Sequence, residues 1–197
     1  MKIFTAPEIN SEDSSEEINV FLAGTITGTG DWQSYVLSEL KKYPGMNNIN
    51  VFNPRRPNFD VSDPTASEKQ IEWEADALID ADIYSFWFAK ETVAPITLFE
   101  LGKYVASSEQ TEMWTPAIVG VDPEYPRRKD VEVQLRIARP DIKIVYSLDD
   151  LVSSLIAEMQ DYWDTDDDDE DYWDDEEDEE LIDDDDFESE SDDFTQF

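Results

Sequence analysis

The chain alternates short apolar runs with longer amphipathic ones. "INVFLAG" (18–24) is β-branched and aromatic and closes on a glycine, which predicts a buried strand. The stretch that follows the next loop, "DWQSYVLSELKKYPG" (31–45), has helical spacing; Gly30 or Asp31 can cap it, and Pro44-Gly45 ends it. The alternation then repeats. Strands are predicted at 49–54, 82–88, 116–121 and 142–147, and helices at 66–81, 95–108, near 128–138 and near 148–160. The strands read as continuous apolar runs, the pattern of a parallel sheet covered on both faces. The expected fold is α/β: a flavodoxin-like or Rossmann-like, doubly wound parallel sheet of about five strands. Such sheets bind ligands beyond the carboxyl ends of their strands.

The pattern stops at Asp161. Residues 161–193 hold 23 Asp or Glu and no Lys or Arg, and "DYWD" occurs at 161–164 and again at 171–174. A segment of that charge density cannot bury enough apolar surface to fold alone. The expected organisation is a folded domain over 1–160 and a disordered acidic, aromatic tail over 161–197, with "SEDSSEE" (11–17) as a polar linker or loop inside the domain.

Charge and missing residue types narrow the chemistry. The whole chain carries 50 acidic against 14 basic residues, a formal charge of -36. So acidic a protein is not built to grip nucleic-acid phosphates. It has no cysteine and no histidine. Disulfides, thiol nucleophiles, Cys/His zinc sites and every Ser-His or Cys-His arrangement are thereby excluded. Acid/base or nucleophilic work would fall on carboxylates, Lys, Tyr or Ser/Thr. No run of about 18 apolar residues crosses a membrane, and the N-terminus lacks the basic flank and apolar stretch of a signal peptide. The expected location is cytoplasmic.

Three segments follow the first three predicted strands, and the fold rule brings them to one rim. "GTITGTG" (24–30) offers Gly24 and Gly28 for close backbone approach and the hydroxyls of Thr25 and Thr27. It carries neither the dinucleotide fingerprint nor a P-loop, so an ordinary strand-to-helix turn explains it equally well. "NPRRP" (53–57) places Asn53, Arg55 and Arg56 at a strand end, where the arginines can grip a phosphate or carboxylate, or pair with surface acids. The third segment runs into "ITLFELGKYV" (96–105), with Glu100 among apolar neighbours. Helix-dipole stabilisation or pairing with Lys103 would account for it blandly. Held at the crevice and kept ionised, it would instead suit a carboxylate nucleophile. Glu74 is the second candidate. With Ile71, Ala75 and Leu78 it follows i, i+3, i+4, i+7 spacing, which places it on a buried stripe. Two carboxylates converging on one crevice is the arrangement that cleaves glycosidic bonds.

"VFLAGTI", "NPRR", "QIEWEADALIDADIYSFWF" and "PITLFELGKYV" together resemble the nucleoside 2-deoxyribosyltransferase-like family over roughly residues 18–150. The resemblance implies a flavodoxin-like fold, N-glycosidic bond chemistry on nucleosides or deoxynucleotides, no metal or organic cofactor, and a homo-oligomer. It implies that Glu100, in the "ELG" motif, attacks the anomeric carbon, and that Glu74, where the family has Asp, orients it or donates a proton. Gly24, Thr25 and Thr27 match the family's first loop. Three positions depart from the family's pattern: Ala94 replaces a polar residue, with Thr97 as its substitute; Phe21 replaces a Tyr; and Thr27 stands where nucleotide-cleaving relatives carry Arg, leaving Arg55 or Arg56 to take a phosphate. Trp87 or Phe88 would stack on the base, or pack in the core. The alternative is a catalytically silent nucleotide-binding or interaction protein on the same scaffold. The ending "DDFTQF" resembles the acidic, aromatic-terminated tails of some phage single-stranded-DNA-binding proteins. That likeness implies a viral origin, a host cytoplasm, and a tail that docks basic or nucleic-acid-processing partners; mere solubilisation is the other reading.

Overall fold

A computed structural model of the 197-residue chain describes residues 1–8, 17–57, 62–105 and 115–166, with side chains up to 162. Most of the 11–17 linker and the acidic tail from 167 onward lie outside the described residues.

Six parallel strands form one sheet: β1 (Lys2–Phe4), β2 (Ile18–Gly24), β3 (Ile49–Phe52), β4 (Ile83–Phe88), β5 (Ala117–Val121) and β6 (Ile144–Val145), in the order β1-β3-β2-β4-β5-β6. Strands β2 to β6 thus follow the flavodoxin-like order 2-1-3-4-5. The addition is β1, three residues that pair with β3 at the edge. Its "KIF" is too short to show a period.

The helices are α1 (Trp32–Leu40), α2 (Ala66–Ile79), α3 (Pro95–Glu100) and α4 (Arg128–Ala138), one between each successive pair of strands from β2 to β6, and α5 (Leu148–Asp166) after the last. Strand alternation sorts the side chains into two cores. Ile18, Val20, Leu22, Ile83 and Trp87 face α1 and α5, where Val36, Leu40, Leu151, Leu155 and Met159 are buried. Phe21, Ala23, Tyr84, Phe86 and Phe88 face the other side, against Trp73 and Leu78 of α2, Leu101 after α3, and Val131 and Leu135 of α4. Helices α1 and α5 cover one face and α2 and α4 the other, each through an apolar stripe, whereas of α3 only Thr97 is buried. The helix predicted at 95–108 divides. Its α-helical part ends at Glu100, and Leu101–Val105 is wound as a π-turn, a local widening often found at functional sites. Helix α5 continues to Asp166, past the residue where the acidic composition begins.

Candidate active site

The sheet changes its winding direction between β2 and β4. The chain passes from β2 to β3 on one side, then crosses back to β4 on the other. A crevice belongs at the carboxyl ends of these two strands, and a cavity of about 340 Å³ opens there. Gly24–Thr27 after β2 and residues 92–97 after β4 form its walls, with Phe21, Pro54, Glu74 and Glu100. A second hollow, about 420 Å³, lies between α2 and the Pro7–Glu8 segment that follows β1; of the two, only the first joins both loops to the paired carboxylates.

The first wall is tied internally. The Thr25 carbonyl accepts from the Thr29 hydroxyl (3.0 Å) and from Trp32 Nε1 (3.2 Å). The Thr25 and Thr92 hydroxyls lie 3.2 Å apart and join the two loops. Gly24 is required for packing: a Cβ there would sit 2.5 Å from the Trp32 ring and 2.8 Å from the Trp87 carbonyl. Gly28 is required for its backbone, at φ +77°. Thr27 is exposed and lines the cavity, whereas Gly28 does not. On the second wall Ala94 adopts a left-handed conformation, φ 48° and ψ 55°, and caps α3. That conformation disfavours a side chain, and Tyr125 steadies it by donating to the Val93 carbonyl at 2.7 Å. Thr97 is buried and lines the cavity, one helical turn before Glu100.

Both carboxylates reach this cavity. Glu100 is half-buried, and among the described residues its carboxylate makes no hydrogen bond or ion pair. Burial pushes it up to about 7; the nearby charge of Glu74 adds to the rise, and Lys103 partly offsets it. The expectation that Glu100 stays ionised is therefore corrected. Near neutral pH it is poised between charged and neutral, because desolvation penalises the anion. Lys103 donates to the Tyr104 hydroxyl at 2.9 Å. Glu74 is also raised, chiefly by burial, but a hydrogen bond from Gln70 and the charge of Arg56 pull it back.

Helix α2 is rotated from its expected setting. Ile71 is 65% exposed, and the buried stripe runs through Gln70, Trp73 and Ala77. Glu74 sits at the border of that stripe, which is how it reaches both the interior and the cavity.

The arginines and Trp87 do not line the cavity. Arg55 donates to Gln33 (2.9 Å), Thr29 (3.3 Å) and the Gly30 carbonyl (3.2 Å), and pairs with Asp31 at 3.2 Å. It braces the back of the first loop. Arg56 donates to the Ala66 carbonyl at 3.3 Å. Asn53 accepts from the Arg55 amide at 3.0 Å and shapes the turn. From "NPRRP" only Pro54 reaches the cavity. Trp87 points to the α1/α5 face, opposite to the carboxylates, and its ring lies over Gly120. Phe88, on the other face, packs on Tyr125 with ring centroids 5.2 Å apart. Gln70, Thr92, Val93 and Tyr125 were missed as site residues, because their parts depend on which carbonyl or hydroxyl they meet across the fold.

Fold and crevice together define an α/β domain of flavodoxin-like order with two carboxylates at its switch point. The chain belongs to the family described as nucleoside 2-deoxyribosyltransferase like, which matches it over residues 17–125, more than half of its 197 residues. No curated protein matches the chain. Family membership ties the domain to glycosyl-transfer-related chemistry. Among the described residues no helix is long and apolar enough to cross a membrane.

Proposed function

We propose that the protein cleaves the N-glycosidic bond of uncharged 2′-deoxynucleosides, with Glu100 as nucleophile. A Glu100 oxygen bonds to the anomeric carbon as the carbon–nitrogen bond to the base breaks. The electron pair leaves with the base nitrogen, which takes up a proton. A second base nitrogen, or water, then attacks the same carbon and gives up its proton to solvent, and the Glu100 carboxylate departs, giving transfer or hydrolysis.

One observation carries this reading: a half-buried carboxylate at the switch-point cavity with no hydrogen-bond partner among the described residues and a second carboxylate beside it. A structural glutamate in such a place would be expected to have a partner. The preference for an uncharged nucleoside rests on the lining. Among the described residues it holds two carboxylates and no Lys or Arg, and Arg56 and Lys103 act on those carboxylates from outside the lining, so a 5′-phosphate would meet more repulsion than attraction.

The test is chromatographic detection of free base from 2′-deoxynucleosides and from their 5′-monophosphates. Nucleosides should be cleaved in preference, and Glu100→Gln should lower the rate on the order of a thousandfold or more. Undiminished release by the variant would remove Glu100 from its role. Faster turnover of monophosphates would remove the substrate preference.

A further inference from the structure

Gln70 lies behind the cavity, in the first turns of α2, and is only 9% exposed. Its side-chain amide nitrogen makes two hydrogen bonds: one to the Pro54 carbonyl at 3.0 Å and one to Oε1 of Glu74 at 2.7 Å. Both partners are acceptors. The reversed amide would aim its oxygen at two other oxygens, so the orientation is fixed by its neighbours. The remaining amide oxygen is buried without a partner. This group presents donors toward Glu74 at the expense of its own acceptor, and it is anchored to the backbone that follows β3.

Among the described residues, the groups that act on the two carboxylates form a short set. Glu74 faces Gln70 from its own helix and Arg56 from the β3–α2 connection. Glu100, from α3, faces Glu74 and Lys103. Burial raises both carboxyls, but donor and cation offset part of that rise at Glu74 alone, while Glu100 receives no hydrogen bond among the described residues.

We infer that Gln70 is a positioning residue: clamped between the Pro54 carbonyl and Glu74, it fixes Glu74 as a permanent hydrogen-bond acceptor, so that Glu74 serves as a stationary anion and Glu100 is the carboxyl that gains and loses the proton. The inference rests on the proposed glycosidic reading and narrows it. Glu74 does not donate a proton to the departing base. Its fixed charge instead faces the positive charge that grows on the sugar as the bond breaks, and the base takes its proton from solvent at the mouth of the cleft. Attack then requires only that Glu100 be ionised.

Carboxyl-carbon NMR of the full-length protein can follow both side chains through a pH titration without any turnover. In the wild-type protein Glu74 should finish titrating below Glu100. In Gln70→Met, which fills the space but donates nothing, the two should titrate together. Gln70→Lys, which restores a donor, should separate them again. A residue that merely packed would give the opposite ranking, with Met harmless and Lys disruptive. The acid limb of the pH–rate profile should follow Glu100 alone in the wild type and broaden in the Met variant. A wild-type Glu74 that titrates with or above Glu100 overturns the inference, as does an unchanged order in Gln70→Met. The expected titrations in a protein that releases no base would uphold the clamp and sink the glycosidic reading, so the two failures are distinguishable.

Discussion

Replacing Glu100 by Gln should stabilise the fold at neutral and alkaline pH and much less in acid. The carboxyl sits at about 7 in the folded protein, above the ordinary 4.5. Between those values the native state holds a proton that the unfolded chain has already released. Stability is therefore lost as pH rises through that window, and the full penalty is present above about 7. At 1.36 kcal/mol per pH unit the gap amounts to about 3 kcal/mol, and solvent at a half-buried group reduces it to roughly 2 kcal/mol. The Gln side chain has nearly the same shape and no charge to desolvate. Urea unfolding of wild type and variant at pH 5 and pH 8, followed by tryptophan fluorescence, isolates the effect, because all other titrating groups are common to both proteins. The variant should gain roughly 2 kcal/mol at pH 8, or about 4–8 °C in melting temperature for a domain of this size, and only about a quarter of that gain at pH 5. An equal gain at both pH values, or a loss at pH 8, would refute the desolvated-carboxylate account of this site.

Two further outcomes follow from packing. Gly24→Ala should destabilise by about 1–3 kcal/mol, since its Cβ would meet the Trp32 ring at 2.5 Å and the Trp87 carbonyl at 2.8 Å; a melting temperature within a degree of wild type would show that the loop yields freely. Truncation should be tolerated after Asp166 but not before Asp161. Helix α5 runs through that boundary, and Tyr162 packs against the α1/α5 core, so the shorter chain should lose about 1 kcal/mol in urea titrations while the longer one matches the full-length body. Base release by the chain ending at 166, with loss of any salt-sensitive capture of basic proteins, would separate the domain's chemistry from the tail's interactions.

The strands and the crevice were readable because their signals are local. Runs such as "INVFLAG" and "DIYSFWF" are apolar on both faces, so no register had to be known to recognise buried parallel strands. Convergence of the three post-strand loops then follows from topology alone. What was not readable depends on rotation or on partners. The phase of α2 was misjudged because Ile71 looks like a core residue, yet its face of the helix is open, while Gln70 turns inward to meet a carbonyl. Trp87 was separated from the site by strand parity: in β4 the even-to-odd step decides the face, and Trp87 shares its face with Ile83. Arg55 resembled an anion-binding group because sequence does not reveal that Asp31, Gln33, Thr29 and Gly30 come to surround it.

These errors have a common physical cause, and it explains why the glutamates escaped them. Arginine and tryptophan at a strand end gain equally from a ligand, a surface acid or a packed core, so their presence leaves the choice open. A carboxylate in an apolar segment has fewer comfortable fates. It must find donors, face water, or accept a raised affinity for protons. Glu74 takes the first course through Gln70, and Glu100 takes the last two at the cavity. Because Glu100 is left only partly solvated beside another charge of like sign, it disfavours the folded state at neutral pH. Only a bound group that carries or develops positive charge would turn that arrangement to advantage. A sugar losing its base is such a group, whereas a purely structural role would be served better by Gln at the same position.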